Sequence, residues 1–110
     1  AAMAASNEGF APLIGGYAHA AWGVAQAAFG DRERGVEDIY TAAGLFSRVG
    51  YHGGAAECWW RLSRIRAEEG DCGQAVACAE HAVECADKGD DAFARETAQA
   101  QLDTVRRLAG

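Results

Sequence analysis

The stretch Ala56-Glu57-Cys58-Trp59-Trp60-Arg61-Leu62-Ser63, followed by Gly70-Asp71, decides the fold. Glycine adopts the left-handed conformation that ends a helix, and aspartate caps the next helix by accepting a free backbone N–H. After Gly70-Asp71, Ala75 and Ala82 lie seven positions apart, where small side chains would let a second helix approach closely. The pattern predicts a helical hairpin over residues 55–69 and 73–88.

Similar helix-ending residues continue along the chain, and they predict an all-α fold. Gly30-Asp31 and Gly89-Asp90 are further Gly-Asp pairs, and Gly50 with Gly53-Gly54 marks another break. No segment shows sustained alternation of apolar and polar residues, so no strand is expected. We predict five helices, with Pro12 in the first turn of the first helix. Their ranges are residues 10–29, 34–49, 55–69, 73–88 and 91–108.

An internal repeat relates the two halves of the chain. Gly30-Asp31 and Gly70-Asp71 lie 40 residues apart, and Gly110 lies another 40 residues on. Under this shift Gly35 corresponds to Ala75 and Ala42 to Ala82, so small residues recur where two helices of a hairpin would touch. We therefore expect two and a half antiparallel helical hairpins in a single domain spanning residues 1–110.

These motifs resemble a tetratricopeptide repeat (TPR) of the long-period bacterial type. The likeness rests on Trp59-x2-Leu62-Ser63, the Gly-Asp turn and the alanines seven residues apart. It implies that Trp59 and Leu62 pack inside the hairpin, and that an extended peptide binds a concave face made by the first helices. The sequence departs from the family pattern at Arg66, Ala79 and Asp87. A generic antiparallel helical bundle is the alternative fold.

Matching positions of the repeats give the ligand-binding residues that the resemblance implies. Trp60 is the most informative of them, because neighbouring tryptophans on a helix point in different directions and one ring would reach a second surface. Arg61 and Arg64, one turn apart, could hold a carboxylate. Alternatively, Trp60 covers the core and the arginines pair with Glu57 and Glu68. The predicted set is Tyr17, Val24, Glu57, Trp60, Arg61, Arg64, Glu68, Thr104 and Arg107, with Ala20 and Thr97 at further matching positions.

Charge, hydropathy and cysteine content limit the partners. The net charge of −6 disfavours nucleic acid. No apolar run approaches the ~20 residues that cross a bilayer, and residues 1–8 lack the basic region of a signal peptide. The four cysteines are expected to be reduced thiols in the cytoplasm. All basic residues except Lys88 are arginines, a bias typical of GC-rich bacterial genomes.

The composition of the first helix predicts a homodimer. Residues 13–25 are apolar or small nearly all round, and a helix of that composition is buried on more than one side. One neighbouring helix cannot cover it. We therefore expect a second copy of the chain to bury part of this helix or to exchange a terminal helix with it.

Candidate catalytic and metal-binding residues are few. Cys78, His81 and Cys85 share one face of the fourth helix and, with Cys58, could bind zinc, but buried structural cysteines are the preferred interpretation. His19 could act as a general base, but a core or interface histidine is favoured. We predict no cofactor and no metal.

The leading functional hypothesis is a non-catalytic peptide- or protein-binding module. A small accessory enzyme that preorganises a bacterial peptide substrate and a dimerisation domain of a larger regulator are the alternatives.

Overall fold

The described part of the chain folds into five α-helices. The computed structural model describes the backbone of residues 2–110 and the side chains of residues 12–110. Over this range the all-α prediction is confirmed, since helices account for every regular element and no strand forms. The helices are α1 (Ala2–Phe29), α2 (Arg32–Arg48), α3 (His52–Glu68), α4 (Cys72–Gly89) and α5 (Ala92–Ala109).

The first of two compact units, Ala1–Tyr51, is the hairpin of α1 and α2. Its helices cross at two glycines, because a Cβ on Gly23 would lie 2.7 Å from the carbonyl oxygen of Gly35. Further along, Gly16 leaves room for the ring of Phe46, which is buried with Ile39 in the core of the hairpin. Larger residues at the glycine positions would force the helices apart.

The second unit, His52–Gly110, is the α3–α4 hairpin with α5 packed against both of its helices. Ser63 is fully buried where the three helices meet. Its hydroxyl donates to the backbone oxygen of Ala75 at 2.7 Å and accepts from the Gln101 amide at 3.2 Å. The core around Ser63 is apolar, and most of its members are small: Ala55, Ala56, Cys58, Leu62, Ile65, Ala75, Cys78, Ala79, Ala82, Ala86, Ala98, Leu102 and Val105.

Aspartates cap three of the helices, as the Gly-Asp pairs predict for the first two. Asp31 accepts from the backbone N–H of Arg34, and Asp71 accepts from that of Gln74. At the third junction the roles differ from the expectation. Asp91, not Asp90, caps α5, while Asp90 itself takes the left-handed conformation at φ 50°.

Gly89 shows why the third junction differs. It remains helical as the last residue of α4, where a Cβ would lie 2.9 Å from the Cβ of His52. Its small size therefore serves the close approach of the end of α4 to the start of α3. The left-handed conformation expected of glycine passes to the next residue, and aspartate is one of the few other residue types that adopt it at modest cost.

Two predicted helix starts are wrong. α1 begins at Ala2, so Pro12 lies inside the helix rather than in its first turn. α3 begins at His52, so Gly53-Gly54 belongs to its first turn and is not a break. Gly54 is buried there, which fits a packing role for a small residue instead of a loop role. In this loop the left-handed residue is Gly50, at φ 76°.

Candidate peptide-binding groove

Trp60 lies beside two arginines on α3. The Cζ atom of Arg61 is 4.8 Å from the centroid of the Trp60 ring, and that of Arg64 is 5.0 Å from it. Both distances are within the ~6 Å over which a guanidinium is attracted to an aromatic ring. The half-buried ring thus carries two cations at a surface of a chain whose net charge is −6.

A groove between α3 and α5 opens next to this ring. Its volume is about 410 Å³, within the range of about 300–1,000 Å³ that is usual for ligand pockets. α3 contributes Trp60 and Arg64, and one face of α5 supplies the other wall. The residues of that wall are Glu96, Thr97, Ala100, Gln101 and Thr104.

Three polar side chains of the α5 wall are held in place by hydrogen bonds. Thr97 and Thr104 each donate their hydroxyl to a backbone oxygen one turn earlier, those of Phe93 and Ala100. Gln101 donates to the buried Ser63 hydroxyl, which fixes its amide relative to α3. The two threonine oxygens keep lone pairs that can accept hydrogen bonds from a bound molecule.

The groove offers one cation and one anion to a ligand. Arg61 has a carboxylate neighbour, because its Nε atom is 3.8 Å from an oxygen of Glu57. Among the side chains of residues 12–110, no carboxylate lies within 4.0 Å of the Arg64 guanidinium, and no basic group lies within 4.0 Å of Glu96. Arg64 on one wall and Glu96 on the other are therefore available to a partner of mixed charge.

The structure brings together part of the predicted ligand-binding set. Trp60, Arg64 and Thr104 line the groove, and so does Thr97. Arg61 stacks on Trp60, Glu57 lies beside Arg61, and Arg107 donates to the Thr104 hydroxyl at 3.5 Å. Glu68 is exposed near the end of α3 and is not a lining residue.

Tyr17 and Val24 belong to the first unit. The Tyr17 ring packs edge-on against Phe46 at 5.1 Å and tilts toward Tyr51 at 6.1 Å. Val24 and Ala20 are half-buried in α1. Tyr17 is thus one wall of an aromatic cluster within its own hairpin.

Sequence reasoning missed three of the lining residues, Glu96, Ala100 and Gln101. A signal for two of them existed in the spacing. Ala100 and Gln101 lie three and four residues after Thr97, and Thr104 lies seven after it, so these positions share one face of a helix.

Trp59 does not occupy the interior position that the TPR resemblance implies. It is half-buried, and its ring lies edge-to-face on His81 of α4 at 4.3 Å between centroids. The interior stripe of α3 is formed instead by Cys58, Leu62 and Ile65. Because successive helical residues point about 100° apart, a stripe through Cys58 leaves Trp59 at its edge.

Two thiols of the second unit, those of Cys58 and Cys85, are poor candidates for chemistry. Burial raises the pKa of the Cys58 thiol to about 12, and the nearby charge of Glu57 contributes to the same upward shift. Burial also raises the pKa of Cys85. Over the described part of the chain, no group of three or more histidine, cysteine or acidic residues is placed to hold a metal ion.

His19 has a carboxylate partner that the sequence analysis did not identify. Its Nδ1 atom lies 3.2 Å from an oxygen of Asp38 on α2. The pair connects the two helices of the first hairpin across a partly exposed edge. His19 therefore makes a polar contact between the two helices of its own hairpin, and the assignment of a core or interface histidine stays a prediction.

No protein-family model matches the chain, and neither a curated protein nor a solved structure matches it significantly. The TPR resemblance accordingly stays a prediction. Across residues 2–110, none of the helices combines the length and the apolar character needed to cross a membrane.

Proposed function

We propose that this protein binds a peptide segment of a partner protein in the groove between α3 and α5. The observation that carries the proposal is the position of Trp60, a half-buried aromatic ring at a groove whose Arg64 has no carboxylate neighbour among the described side chains. Tryptophan and arginine are among the side chains most enriched at the positions that dominate binding energy at interfaces.

The chemistry of the walls favours a peptide over an apolar small molecule. Thr97, Gln101 and Thr104 can exchange hydrogen bonds with peptide amides, and the Trp60 ring can pack on an apolar or aromatic side chain. Arg64 would bind an acidic side chain or a terminal carboxylate, and Glu96 would bind a basic one. We therefore expect a ligand with one apolar residue between residues of opposite charge.

The TPR-like relationship and a bacterial cytoplasmic location belong to the same proposal. The repeat is supported by equivalent positions in the two hairpins, since Gly35 and Ala75 are both buried, as are Ala42 and Ala82. A reducing compartment suits a chain whose four cysteines are free thiols, two of them buried in the core.

Selection from a random peptide library against the full chain tests the proposal. We expect enriched peptides whose affinity falls at least about tenfold in Trp60→Ala and in Arg64→Gln, as for residues at the centre of an interface. Trp59→Ala and Arg106→Gln are the matched controls, because Trp59 packs on His81 and the exposed Arg106 does not line the groove. Both controls should keep the wild-type affinity.

Two results would overturn the proposal. One is a selection that enriches no peptide although circular dichroism shows that the chain is folded. The other is a set of enriched peptides that bind Trp60→Ala and Arg64→Gln as tightly as the wild-type chain, because the groove would then not be their site.

A further inference from the structure

The face of α1 that points away from α2 is apolar and exposed. Gly16 and Gly23 mark the side of α1 that packs on α2, and the opposite side carries three large side chains. Phe29 is 93% exposed, Trp22 59% and Ile14 58%. The exposed alanines Ala18, Ala21 and Ala25 lie between them on the same side.

The residues of this face are spaced symmetrically about a point between Ala21 and Trp22. Outward from the midpoint between Ala21 and Trp22, the next face residues are Ala18 and Ala25, and then Ile14 and Phe29. The spacings on the two sides of the midpoint are equal. A two-fold axis at the midpoint would place each residue of one copy against its counterpart in an antiparallel copy.

Such a pairing also matches side-chain volumes. The Trp22 ring of one copy would lie over Ala21 of the other, and the small pair of Ala18 and Ala25 would let the helices approach closely. Ile14 would meet Phe29 at each end of the contact. A second copy of the same helix supplies these matching residues, because each position of the face has a counterpart at the same distance on the other side of the midpoint.

Among the surfaces of the described chain, this face is one where charge does not oppose a second copy. The chain has a net charge of −6, so two copies repel each other on average. Residues 12–29 of α1 contain no Asp, Glu, Lys or Arg, so two copies can meet along this stretch without opposing like charges. Antiparallel helices additionally place opposite ends of their dipoles side by side.

The size of the face suggests a moderate affinity. At about 200 Å² per aromatic side chain, the exposed parts of Trp22 and Phe29 from two copies supply roughly 600 Å². With Ile14 and the alanines the contact approaches the lower end of the ~1,200–2,000 Å² typical of specific interfaces. We therefore expect dimerisation that depends on concentration rather than an obligate dimer.

We infer that α1 forms a two-fold, antiparallel homodimer contact centred between Ala21 and Trp22. Sedimentation velocity of the full chain over a concentration series tests this, with Ala18→Glu, Ala25→Arg and their double variant. Each single change places a charge against an alanine of the other copy and should weaken dimerisation at least about tenfold, as loss of a central contact does. In the double variant the two introduced side chains have opposite charges and face each other across the two-fold axis at two symmetric places. It should therefore recover most of the affinity.

The controls distinguish loss of the dimer contact from loss of the fold. They also distinguish the antiparallel register from other arrangements of the two helices. Ala77→Glu places the same charge at an exposed alanine of α4 and should leave dimerisation unchanged. Circular dichroism reports whether each variant stays helical. A wild-type chain that is monomeric at its highest soluble concentration would overturn the inference, as would an unaffected Ala18→Glu. Failure of the double variant to recover dimerisation would overturn the antiparallel register.

Discussion

The hydroxyl of Ser63 donates to the backbone oxygen of Ala75 at 2.7 Å, in the interior of the α3–α4 hairpin. Forty residues earlier, Gly23 and Gly35 make the corresponding contact between α1 and α2, with their backbones close enough to exclude a Cβ. The same pair of repeat positions therefore forms a close helix contact in both hairpins. In the α3–α4 hairpin a hydrogen bond joins the two helices at this position. In the α1–α2 hairpin the lack of side chains on both glycines lets the two backbones approach each other.

We expect Ser63→Ala to destabilise the protein by about 1–3 kcal/mol. The change removes the donor to the Ala75 oxygen and the acceptor for the Gln101 amide, at a site with no solvent access to replace them. Urea unfolding followed by circular dichroism measures the loss. Thr41→Ala is the control, because the exposed Thr41 hydroxyl bonds only the Glu37 backbone oxygen of its own helix, and its loss should change stability by less than about 0.5 kcal/mol.

Two glycine-to-alanine changes in the first hairpin should have opposite signs. A Cβ on Gly23 would lie 2.7 Å from the Gly35 oxygen and 2.8 Å from Ile39, so Gly23→Ala should destabilise by about 1–3 kcal/mol. Gly44 lies inside α2 with nothing within 4 Å of an added Cβ. Gly44→Ala should stabilise by about 0.5–1 kcal/mol, the usual gain in helix propensity. Thermal unfolding of both variants checks the contrast, and a loss of stability in both would contradict the packing explanation.

The helical class and most helix ends could be predicted from the sequence because their signals are local. The caps at Asp31 and Asp71 depend on hydrogen bonds within one turn. The starts of α1 and α3 were missed for a different reason. In the sequence-based prediction, Gly53-Gly54 and Gly89 are breaks and Pro12 is a residue of a first turn. Gly53, Gly54 and Gly89 instead lie in helices, Pro12 lies inside α1, and Gly89 is needed for a contact between segments distant in sequence.

The groove was only half predictable for a similar reason. Trp60 and Arg64 share one helix, and their proximity follows from helical geometry alone. Glu96 and Gln101 join them only because α5 packs on the α3–α4 hairpin, through the buried Leu102 and Val105 and through the hydrogen bond between Gln101 and Ser63. A family pattern also placed Trp59 in the core, where this chain uses the smaller Cys58.

Charge changes on the two groove walls should alter peptide selectivity separately. Libraries selected against Arg64→Gln should lose their enrichment of acidic residues and keep that of basic ones. Selection against Glu96→Gln should show the reverse, because Arg64 and Glu96 lie on different helices of the groove. Sequencing of the enriched pools measures both outcomes. Identical pools from the two variants would mean that these side chains do not contact the ligand.

The Cys58 thiol should make the protein less stable at alkaline pH. Burial raises its pKa from 9.0 to about 12, so the folded chain keeps a proton that the unfolded chain releases. The resulting contribution to stability is fully present below the pKa of the unfolded thiol and is lost as the pH rises toward the folded value. Between those values the free energy of unfolding should fall by about 1.4 kcal/mol per pH unit from this group.

Comparison of variants isolates that contribution from other groups that titrate at high pH. Cys58→Ala should be less stable than the wild type near neutral pH, because it loses a buried sulfur atom, but its stability should fall less steeply between about pH 9 and about pH 11. Gly44→Ala, which removes no titratable group, should keep the wild-type slope. Urea unfolding at several pH values gives the slopes. Equal slopes for Cys58→Ala and the wild type would show that Cys58 ionises as readily in the folded chain as in the unfolded one.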